Sequence, residues 1–367
     1  MTELPYDAIL LVSFGGPEGP DDVIPFLENV TAGRNIPRER LAEVGEQYAH
    51  FGGVSPLNEQ CRRQRSELEA ALAAAGMPLR VYWGNRNWDP YLPDVVEQMT
   101  DDGVTRALAV FTSAYSSYSG CRQYRENLSA ARDTVAQRRP GAKVPEINKV
   151  RAYYDHPGFI DPFVAETARA VAEHGPEARP TLLFTAHSIP TSMASDCDYE
   201  EQLREATRLV VEALPDPSLP SQLVWQSRSG PPQVPWLEPD VNDALLALGA
   251  DGVEHVVIVP IGFVSDHMEV MWDLDTQAKE TAAAAGIRVS RAVALGTAPN
   301  PSFISMWVDL IRERIAAETA AEPGEVPRAA LGSLRVRPDV CAEGCCPAPR
   351  RPTGAGRPAG GRPPAGT

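Results

Sequence analysis

The chain has no hydrophobic run long enough to cross a membrane. Its longest apolar stretches, such as 8–12 and 256–261, are far shorter than the roughly 20 residues that a spanning helix needs. The opening residues MTELPYDAILLV also lack the basic stretch and apolar stretch that form a secretory signal. We therefore expect a cytoplasmic protein without stable membrane association.

Positive charge is also scarce. The 367 residues include 34 lysines and arginines against 49 aspartates and glutamates, for a net charge of −15. A nucleic-acid-binding protein needs a basic surface to offset phosphate charge, so this balance argues against that class. It also argues against a surface attracted to anionic lipid. A small anionic ligand remains compatible, because local basic groups can dominate their own surroundings.

Three common catalytic motifs are missing as well. The sequence contains no HExxH, no Walker A and no GxSxG pattern. These patterns mark zinc proteases, phosphate-binding loops and nucleophilic serines, respectively. Any catalytic site must therefore be inferred from other residues.

What the sequence does contain is a regular alternation of apolar runs and helical stretches. We predict strands at 8–14, 79–83, 107–111 and 149–154, and again at 181–186, 221–225, 255–260 and 288–292. Helical composition lies between them, for example at 60–75 and 199–214. This alternation is typical of α/β proteins with parallel sheets.

The length of the chain favours two domains of this kind. We expect an N-terminal domain at 1–155, a C-terminal domain at 156–320 and a cleft between them. Residues 321–367 form a cysteine-containing tail. From Pro347 onward the chain is rich in proline, glycine, alanine and arginine, so we expect this part to be disordered.

Three segments of the second half follow predicted strands, where functional groups of open α/β sheets gather. FTAHSIP places His187 at a strand end, and imidazole can bind a divalent metal or move a proton near neutral pH. QSRSGPP, followed by VPWLEPDV, predicts a stiff loop beside Trp236. VPIGFVSDHMEVMWDLD leads into a helix with Ser265 as its expected N-cap, which puts Glu269 and Asp273 on one helix face.

Each of these signals has an ordinary structural interpretation when taken alone. A single histidine is more often a buried structural residue, a proline-rich loop can simply be rigid, and two helical acids can form a solvated face. Together they place imidazole and carboxylate groups at the ends of two strands of one sheet. These are suitable ligands for Fe²⁺, so we predict an iron site formed by His187, Glu269 and the acid line that continues to Asp273.

The same three segments resemble the most recognisable motifs of the ferrochelatase family. LLVSFGGPEGP, HFGGVSPLNEQ and YWGNRNWDPY in the first half resemble that family too, so the resemblance extends over about 6–313. It implies two Rossmann-like, chelatase-type domains around a porphyrin cleft, and insertion of ferrous iron during haem synthesis. It also implies that His187 and Glu269 are catalytic and that Ser55 and Tyr124 contact the porphyrin.

Two positions depart from the pattern of the family. Gln277 stands where a further carboxylate often continues the acid line, and Phe14 stands where some bacterial relatives have a tyrosine facing the metal. The first departure shortens the acid line. The second removes a protein ligand on that side, because a phenyl ring cannot bind a metal.

The segment 26–40 bears on which porphyrin is used. It is polar and basic rather than apolar, and Arg34, Arg38 and Arg40 could offset the charge of four propionates. The sequence resembles the soluble enzymes of high-G+C Gram-positive bacteria. The resemblance therefore implies coproporphyrin III as substrate, with protoporphyrin IX as the alternative.

Three of the six cysteines, Cys341, Cys345 and Cys346, crowd together near the end, and Cys61 is expected to be a buried small hydrophobe. In a reducing compartment, crowded cysteines are typical of metal ligands. These three resemble the C-terminal cysteines of ferrochelatases that hold a [2Fe-2S] cluster, which needs four ligands. Cys121 fits best as the fourth and Cys197 is its rival, while free thiols without a cluster remain the alternative.

Two other functions are compatible with the same motifs. One is a chelatase for another metal or tetrapyrrole, and the other is a porphyrin or haem carrier without chemistry. The acid line behind His187 favours metal delivery, which a carrier would not need. Whether His187 delivers iron, accepts protons or does both in turn stays open.

Overall fold

Two four-stranded parallel sheets organise the chain, one in each half. The structure is a computed structural model that describes residues 4–33, 36–230, 232–320 and 326–349. The first sheet has the order β2-β1-β3-β4 and the second has the matching order β6-β5-β7-β8. The strands are β1 (Ala8–Ser13), β2 (Arg80–Asn85), β3 (Arg106–Phe111), β4 (Glu146–Lys149), β5 (Thr181–His187), β6 (Ser221–Gln226), β7 (His255–Val259) and β8 (Arg288–Arg291). The predicted α/β architecture is confirmed.

Helices cover both faces of the sheets. They are α1 (Val23–Val30), α2 (Arg38–His50), α3 (Leu57–Ala74), α4 (Leu92–Asp101), α5 (Gln123–Arg138), α6 (Pro157–Ala172), α7 (Thr191–Ala194), α8 (Tyr199–Glu212), α9 (Val241–Ala250), α10 (Met268–Val270), α11 (Ala278–Ala284) and α12 (Pro301–Thr319). No helix in the described part of the chain is long and apolar enough to span a bilayer.

The central strands β1, β3, β5 and β7 are buried on both faces, as their largely apolar sequences require in a parallel sheet. Residues on one face of each sheet, such as Leu11 of β1 and Phe184 of β5, belong to a single hydrophobic core that spans both halves. Helix α12 packs against α3 of the first half and α6 of the second. The two sheets are therefore joined by a shared core, and the division at residue 155 stays a prediction.

The fourth strand was predicted in the wrong place. It ends at Lys149 rather than covering 149–154. Val150 still donates its N–H to Ala109 O (3.0 Å), and the chain then leaves the sheet. The reason lies at Arg151, whose buried guanidinium donates to Glu313 (Nε to Oε1, 2.7 Å) and to Asp155 (Nη1 to Oδ1, 3.2 Å). An apolar, aromatic run is buried here by core packing instead of strand pairing.

The helix after β7 also differs from its prediction. Ser265 is not the N-cap, because α10 begins at Met268 and His267 is the capping residue. Asp266 instead forms an ion pair with Arg291 (Oδ1 to Nη1, 2.9 Å). The following turns, Met271–Gln277, form a π-helix, and such segments are frequent at functional sites.

Residues 326–349 form a C-terminal segment without helix or strand. Its backbone is tied to the body of the protein, since Leu331 N donates to Asp155 O (2.7 Å) and Ser333 N donates to Glu205 Oε1 (2.7 Å). The disorder predicted from Pro347 onward falls mainly on 350–367, which lie outside the described residues.

Candidate active site

The carboxyl ends of β5 and β7 bring a histidine and a carboxylate together. His187 is the last residue of β5, and Glu269 lies in the short helix after β7. The distance from His187 Nε2 to Glu269 Oε1 is 3.7 Å, and their side chains are 34% and 44% exposed. Both groups can therefore be reached by a ligand entering from solvent.

The imidazole of His187 is held through its other nitrogen. Nδ1 donates to the carbonyl of Ser188 (2.5 Å), and the Tyr199 hydroxyl donates to the His187 carbonyl (3.1 Å). This arrangement leaves Nε2 facing Glu269. An Nδ1–H fixed by a backbone oxygen is the usual support of a metal-binding histidine.

Close packing beneath the strand end also positions His187. A β-carbon added at Gly262 would lie 2.4 Å from Ala186 Cβ, and Gly262 N donates to Thr185 O (3.0 Å). Only glycine allows the loop after β7 to approach β5 this closely. The loop that carries Glu269 is thus fixed against the strand that carries His187.

The two side chains perturb each other's protonation. Burial acts to lower the pKa of His187, but the adjacent Glu269 carboxylate outweighs it and raises the pKa. Burial acts to raise the pKa of Glu269, and the adjacent imidazole outweighs it and lowers the pKa. The pair therefore favours the charged form of both groups. A cation that binds between them must displace the imidazole proton.

Asp273 continues the acid line on the π-helix. Its Oδ2 accepts hydrogen bonds from the Ser227 hydroxyl and from Gln226 Nε2 (3.2 Å to the latter). Burial and the nearby Glu269 charge raise the pKa of Asp273 to about 7. This carboxyl group can therefore gain or lose a proton near neutral pH. Gln277, at the end of the π-helix, is exposed.

The first half supplies an aromatic wall. Phe14 follows β1 and packs edge-on against Phe26, with ring centroids 6.3 Å apart. Phe26 in turn contacts Tyr48 of α2 (6.1 Å). Burial and the Glu269 charge raise the pKa of the Tyr48 phenol, so this residue of the first half lies within range of the Glu269 charge.

Ser55 and Tyr124 are placed by contacts within the first half. Ser55 is buried under the glycine loop after β1, where its N–H donates to Pro17 O (2.8 Å). Tyr124 is buried on α5, with the Arg86 guanidinium 4.3 Å from its ring centroid. The same guanidinium lies 5.7 Å from the ring centroid of Phe14, so Tyr124 and Phe14 share one side of the molecule.

The arginines of segment 26–40 say little about which porphyrin binds. Arg34 lies outside the described residues. Arg38 pairs with Glu28 (3.6 Å) and Arg40 pairs with Glu43 (2.6 Å). Their charges are therefore partly compensated by neighbouring acids.

Four residues near the candidate site were not identified from the sequence. Gln226 and Ser227 lie in a motif that was interpreted only as a stiff loop, although Gln226 ends β6 and Ser227 directly follows it. His267 lies within reach of the Glu269 charge, and burial lowers its pKa. Tyr48 offered no local signal, because only the fold brings α2 to Glu269.

The cysteines form a second cluster, the cysteine group, made of Cys121, Cys341, Cys345 and Cys346. Cys121 and Cys345 both lie close enough to Cys341 to change the pKa of its thiol. Cys345 Sγ lies 3.5 Å from Cys346 Sγ. The rival Cys197 donates its thiol to Met193 O within its own turn (3.2 Å), while Cys61 is fully buried as expected.

Positive charges surround the cysteine group. A hydrogen bond with Cys121 lowers the pKa of the Cys341 thiol to about 5, with Lys149 and Arg125 acting in the same direction against burial. Within the described ranges, no set of three or more His, Cys, Asp or Glu side chains is arranged to hold a metal ion. The cysteine group thus consists of neighbouring thiols with lysine and arginine side chains nearby.

Comparisons with known proteins point to one family. A family model described as ferrochelatase matches residues 6–315. A protein of Rhodopirellula baltica named ferrochelatase is 52% identical over 360 residues, covering 97% of this chain and 98% of the relative. A protein of Streptomyces griseus subsp. griseus named coproporphyrin III ferrochelatase is 50% identical over 359 residues, covering 94% of each.

Among solved structures, SirB from Bacillus subtilis with Fe³⁺ is similar in fold. The TM-score is 0.52 at 14% identity, and the match covers 87% of this chain and 98% of that chain. At this identity the similarity concerns the fold alone, and it agrees with the two parallel sheets described above.

Proposed function

Because this chain belongs to the ferrochelatase family, we propose that it inserts ferrous iron into coproporphyrin III, giving iron coproporphyrin III for haem b synthesis. Several relatives carry the name coproporphyrin III ferrochelatase, including those of Streptomyces griseus and Streptomyces coelicolor. The observation that carries the proposal is the position of His187 Nε2, 3.7 Å from the Glu269 carboxylate, beyond the ends of two strands.

His187 and Glu269 are proposed as the catalytic pair and as the ligands of incoming iron. Imidazole and carboxylate bind Fe²⁺ yet release it readily compared with thiolates, and a site that hands its metal to a porphyrin needs both properties. Iron is the substrate here, so tight retention would oppose turnover. Partial exposure of both side chains supports entry of the hydrated ion.

Insertion also requires a destination for two protons. Fe²⁺ replaces the two pyrrole N–H protons, and both leave the ring as the four Fe–N bonds form. His187 can accept one of them once it has released iron. Asp273, whose pKa is raised to about 7 by burial and by Glu269, is suited to pass a proton onward near neutral pH.

The porphyrin would lie between the aromatic wall and the His187–Glu269 pair. Ser55 and Tyr124 are proposed to contact its carboxylate substituents, since both can donate O–H hydrogen bonds. Phe14 gives the opposite face a phenyl ring and no metal ligand. A rigid cleft accelerates insertion if it binds the buckled ring more tightly than the flat one.

A [2Fe-2S] cluster on Cys121, Cys341, Cys345 and Cys346 is a further part of the proposal. The four cysteines match the ligand number of such a cluster and would hold it. In the described residues they are not arranged to hold a metal ion, so the proposal rests on their number and on their proximity, with Cys345 Sγ 3.5 Å from Cys346 Sγ. When bound, such a cluster supplies one-electron chemistry and a cross-link of the C-terminal segment.

The test of iron insertion is direct. Protein is incubated anaerobically with Fe²⁺ and either coproporphyrin III or protoporphyrin IX, and the absorbance of free porphyrin is followed. We expect loss of free coproporphyrin III well above the uncatalysed rate. A porphyrin that binds without loss of the free-porphyrin bands would contradict the proposal and would indicate a carrier.

His187→Ala should abolish insertion while porphyrin binding persists. His255→Ala is the matched control, because His255 begins β7 at the opposite, amino end of the same sheet. Equal rates for the His187 variant and the wild type would remove His187 from the mechanism. Absorbance of the protein purified anaerobically, with iron and sulfide analysis, tests the cluster.

A further inference from the structure

Arg291 binds two acids that flank the acid line. It is the last residue of β8, and its side chain is 13% exposed. Nη1 donates to Asp266 Oδ1 (2.9 Å), while Nε and Nη2 donate to the two carboxylate oxygens of Asp275 (3.1 and 2.8 Å). The contact with Asp275 is bidentate, which adds geometric specificity to the strength of the ion pair.

The positions of the two acids in the chain give these contacts their significance. Asp266 lies in the loop after β7, three residues before Glu269. Asp275 lies in the π-helix, two residues after Asp273. One guanidinium therefore holds both ends of the segment that carries the acid line. Any displacement of this segment would move its carboxylates relative to His187.

The strand that carries Arg291 is itself fixed. Arg291 lies opposite Ile258 of β7, and Ala292 N continues the ladder by donating to Ile258 O (2.9 Å). Arg169 Nη2 also donates to the Arg291 carbonyl (3.0 Å). In the sheet, β7 lies between β5 and β8. The segment after β7 is therefore flanked by one strand end that carries His187 and another that carries Arg291.

A second cation at Asp275 acts only within the same helical stretch. Lys279 Nζ lies 2.9 Å from Asp275 Oδ1, and its side chain is 52% exposed. It begins no contact with another element through this pair, because it lies four residues further along the chain. Long π-helical segments are rare, and short helical segments depend on tertiary contacts for their stability. Arg291 supplies a tertiary contact of this kind.

We propose that Arg291 is a positioning residue for iron insertion. By binding Asp266 and Asp275 at once, it fixes the carboxylates between them relative to His187. The inference rests on the proposed function, in which His187 and Glu269 bind the incoming iron. Arg291 acts through the two acids, and no contact with iron or porphyrin is assigned to it.

Variants of the full-length chain test this role through kcat for iron insertion, the Kd for porphyrin and Tm. Arg291→Gln should lower kcat by up to about 100-fold, the cost of a misplacement of about 1 Å, while the porphyrin Kd changes little. Arg291→Lys keeps the charge but lacks the fork that binds two acids, so its kcat should lie between that of Arg291→Gln and the wild type. Lys279→Gln is the matched control, because it removes a positive charge from Asp275 without freeing the segment. Its kcat should equal that of the wild type.

Two further measurements examine the contact itself. Asp275→Asn removes the bidentate pair from the side of the π-helix and should also lower kcat. In the double variant with Arg291→Gln, kcat should be no lower than in Arg291→Gln alone, because both changes break one contact, whereas independent effects would multiply and would contradict the proposal. Amide hydrogen exchange in 266–277 should be faster in Arg291→Gln and unchanged in Lys279→Gln.

These measurements separate positioning from mere structural support. A residue needed only for folding would lower Tm and leave kcat of the folded enzyme unchanged, and that result would overturn the inference. If Arg291→Gln does not fold, Arg291→Lys and Asp275→Asn decide. Wild-type kcat in these variants would overturn the inference alone, whereas a wild-type protein that inserts no iron would overturn the proposed function.

Discussion

Gly262→Ala provides a sharp test of how the fold positions His187. The added β-carbon would lie 2.4 Å from Ala186 Cβ and 2.7 Å from Ala186 Cα. Comfortable carbon–carbon contacts are about 3.5–4.0 Å, so the loop and the strand must separate by roughly 1 Å. Ala186 directly precedes His187, and the loop leads to Glu269, so the separation changes the geometry of the pair.

The expected effects follow from that displacement. Overpacking of this kind costs about 1–3 kcal/mol of stability, which for a chain of 367 residues corresponds to a drop in Tm of roughly 1–4 °C. A misplacement of about 1 Å at a catalytic group can cost about 100-fold in rate. We therefore expect kcat for iron insertion to fall by up to that factor, while the Kd for porphyrin changes little.

The assay combines thermal unfolding, porphyrin titration and anaerobic iron insertion. Gly19→Ala is the control, because a β-carbon at Gly19 meets nothing within 4 Å. Wild-type Tm and kcat in Gly262→Ala would refute the reasoning, since the close approach could then have no role in holding the pair. A lower Tm with unchanged kcat would show that the strand end tolerates the shift.

Three further outcomes are expected. Burial lowers the pKa of His156 from 6.5 to about 4, so the unfolded state binds the proton first as pH falls. Between these two pH values the free energy of unfolding declines by up to about 1.4 kcal/mol per pH unit. His156→Asn should flatten this decline in urea unfolding, and an unchanged slope would contradict the prediction. Arg151→Met leaves buried carboxylates unpaired and should cost about 3–5 kcal/mol, whereas Arg312→Met at an exposed pair should change unfolding little. Asp273→Asn should slow iron insertion about 100-fold, whereas Gln277→Ala should leave the rate unchanged. Equal rates for the two variants would contradict a role of Asp273 in proton transfer.

Much of the fold could be predicted because the central strands, such as β1 and β7, are apolar runs. The bounds of β1 and β5 differ from their predictions by a single residue, at Phe14 and at His187. The error at β4 has a physical cause, since the aromatic run after Lys149 is buried against helices and a charged network. The composition of this run shows that its residues are buried, but it does not show whether they pack against a neighbouring strand or against helices.

The arrangement of the candidate site could be predicted only in part. A strand end is visible in the sequence, so the placement of His187 follows from local pattern. The π-helix and the cap at His267 depend on tertiary contacts, such as the ion pair that draws Asp266 to Arg291. Tyr48 comes within range of the Glu269 charge from a distant part of the chain, and no local pattern encodes such proximity.

The His187 site and the cysteine group differ in the charges around them. Next to His187 lie the carboxylates of Glu269 and Asp273, and carboxylate and imidazole groups attract a hydrated cation and also release it. Around the thiols of the cysteine group lie Lys149 and Arg125 instead, which favour anionic sulfur and oppose the approach of a free cation. The acidic setting therefore makes the His187 site, and not the cysteine group, the place where incoming ferrous iron is expected to bind first, in a chain whose net charge is −15.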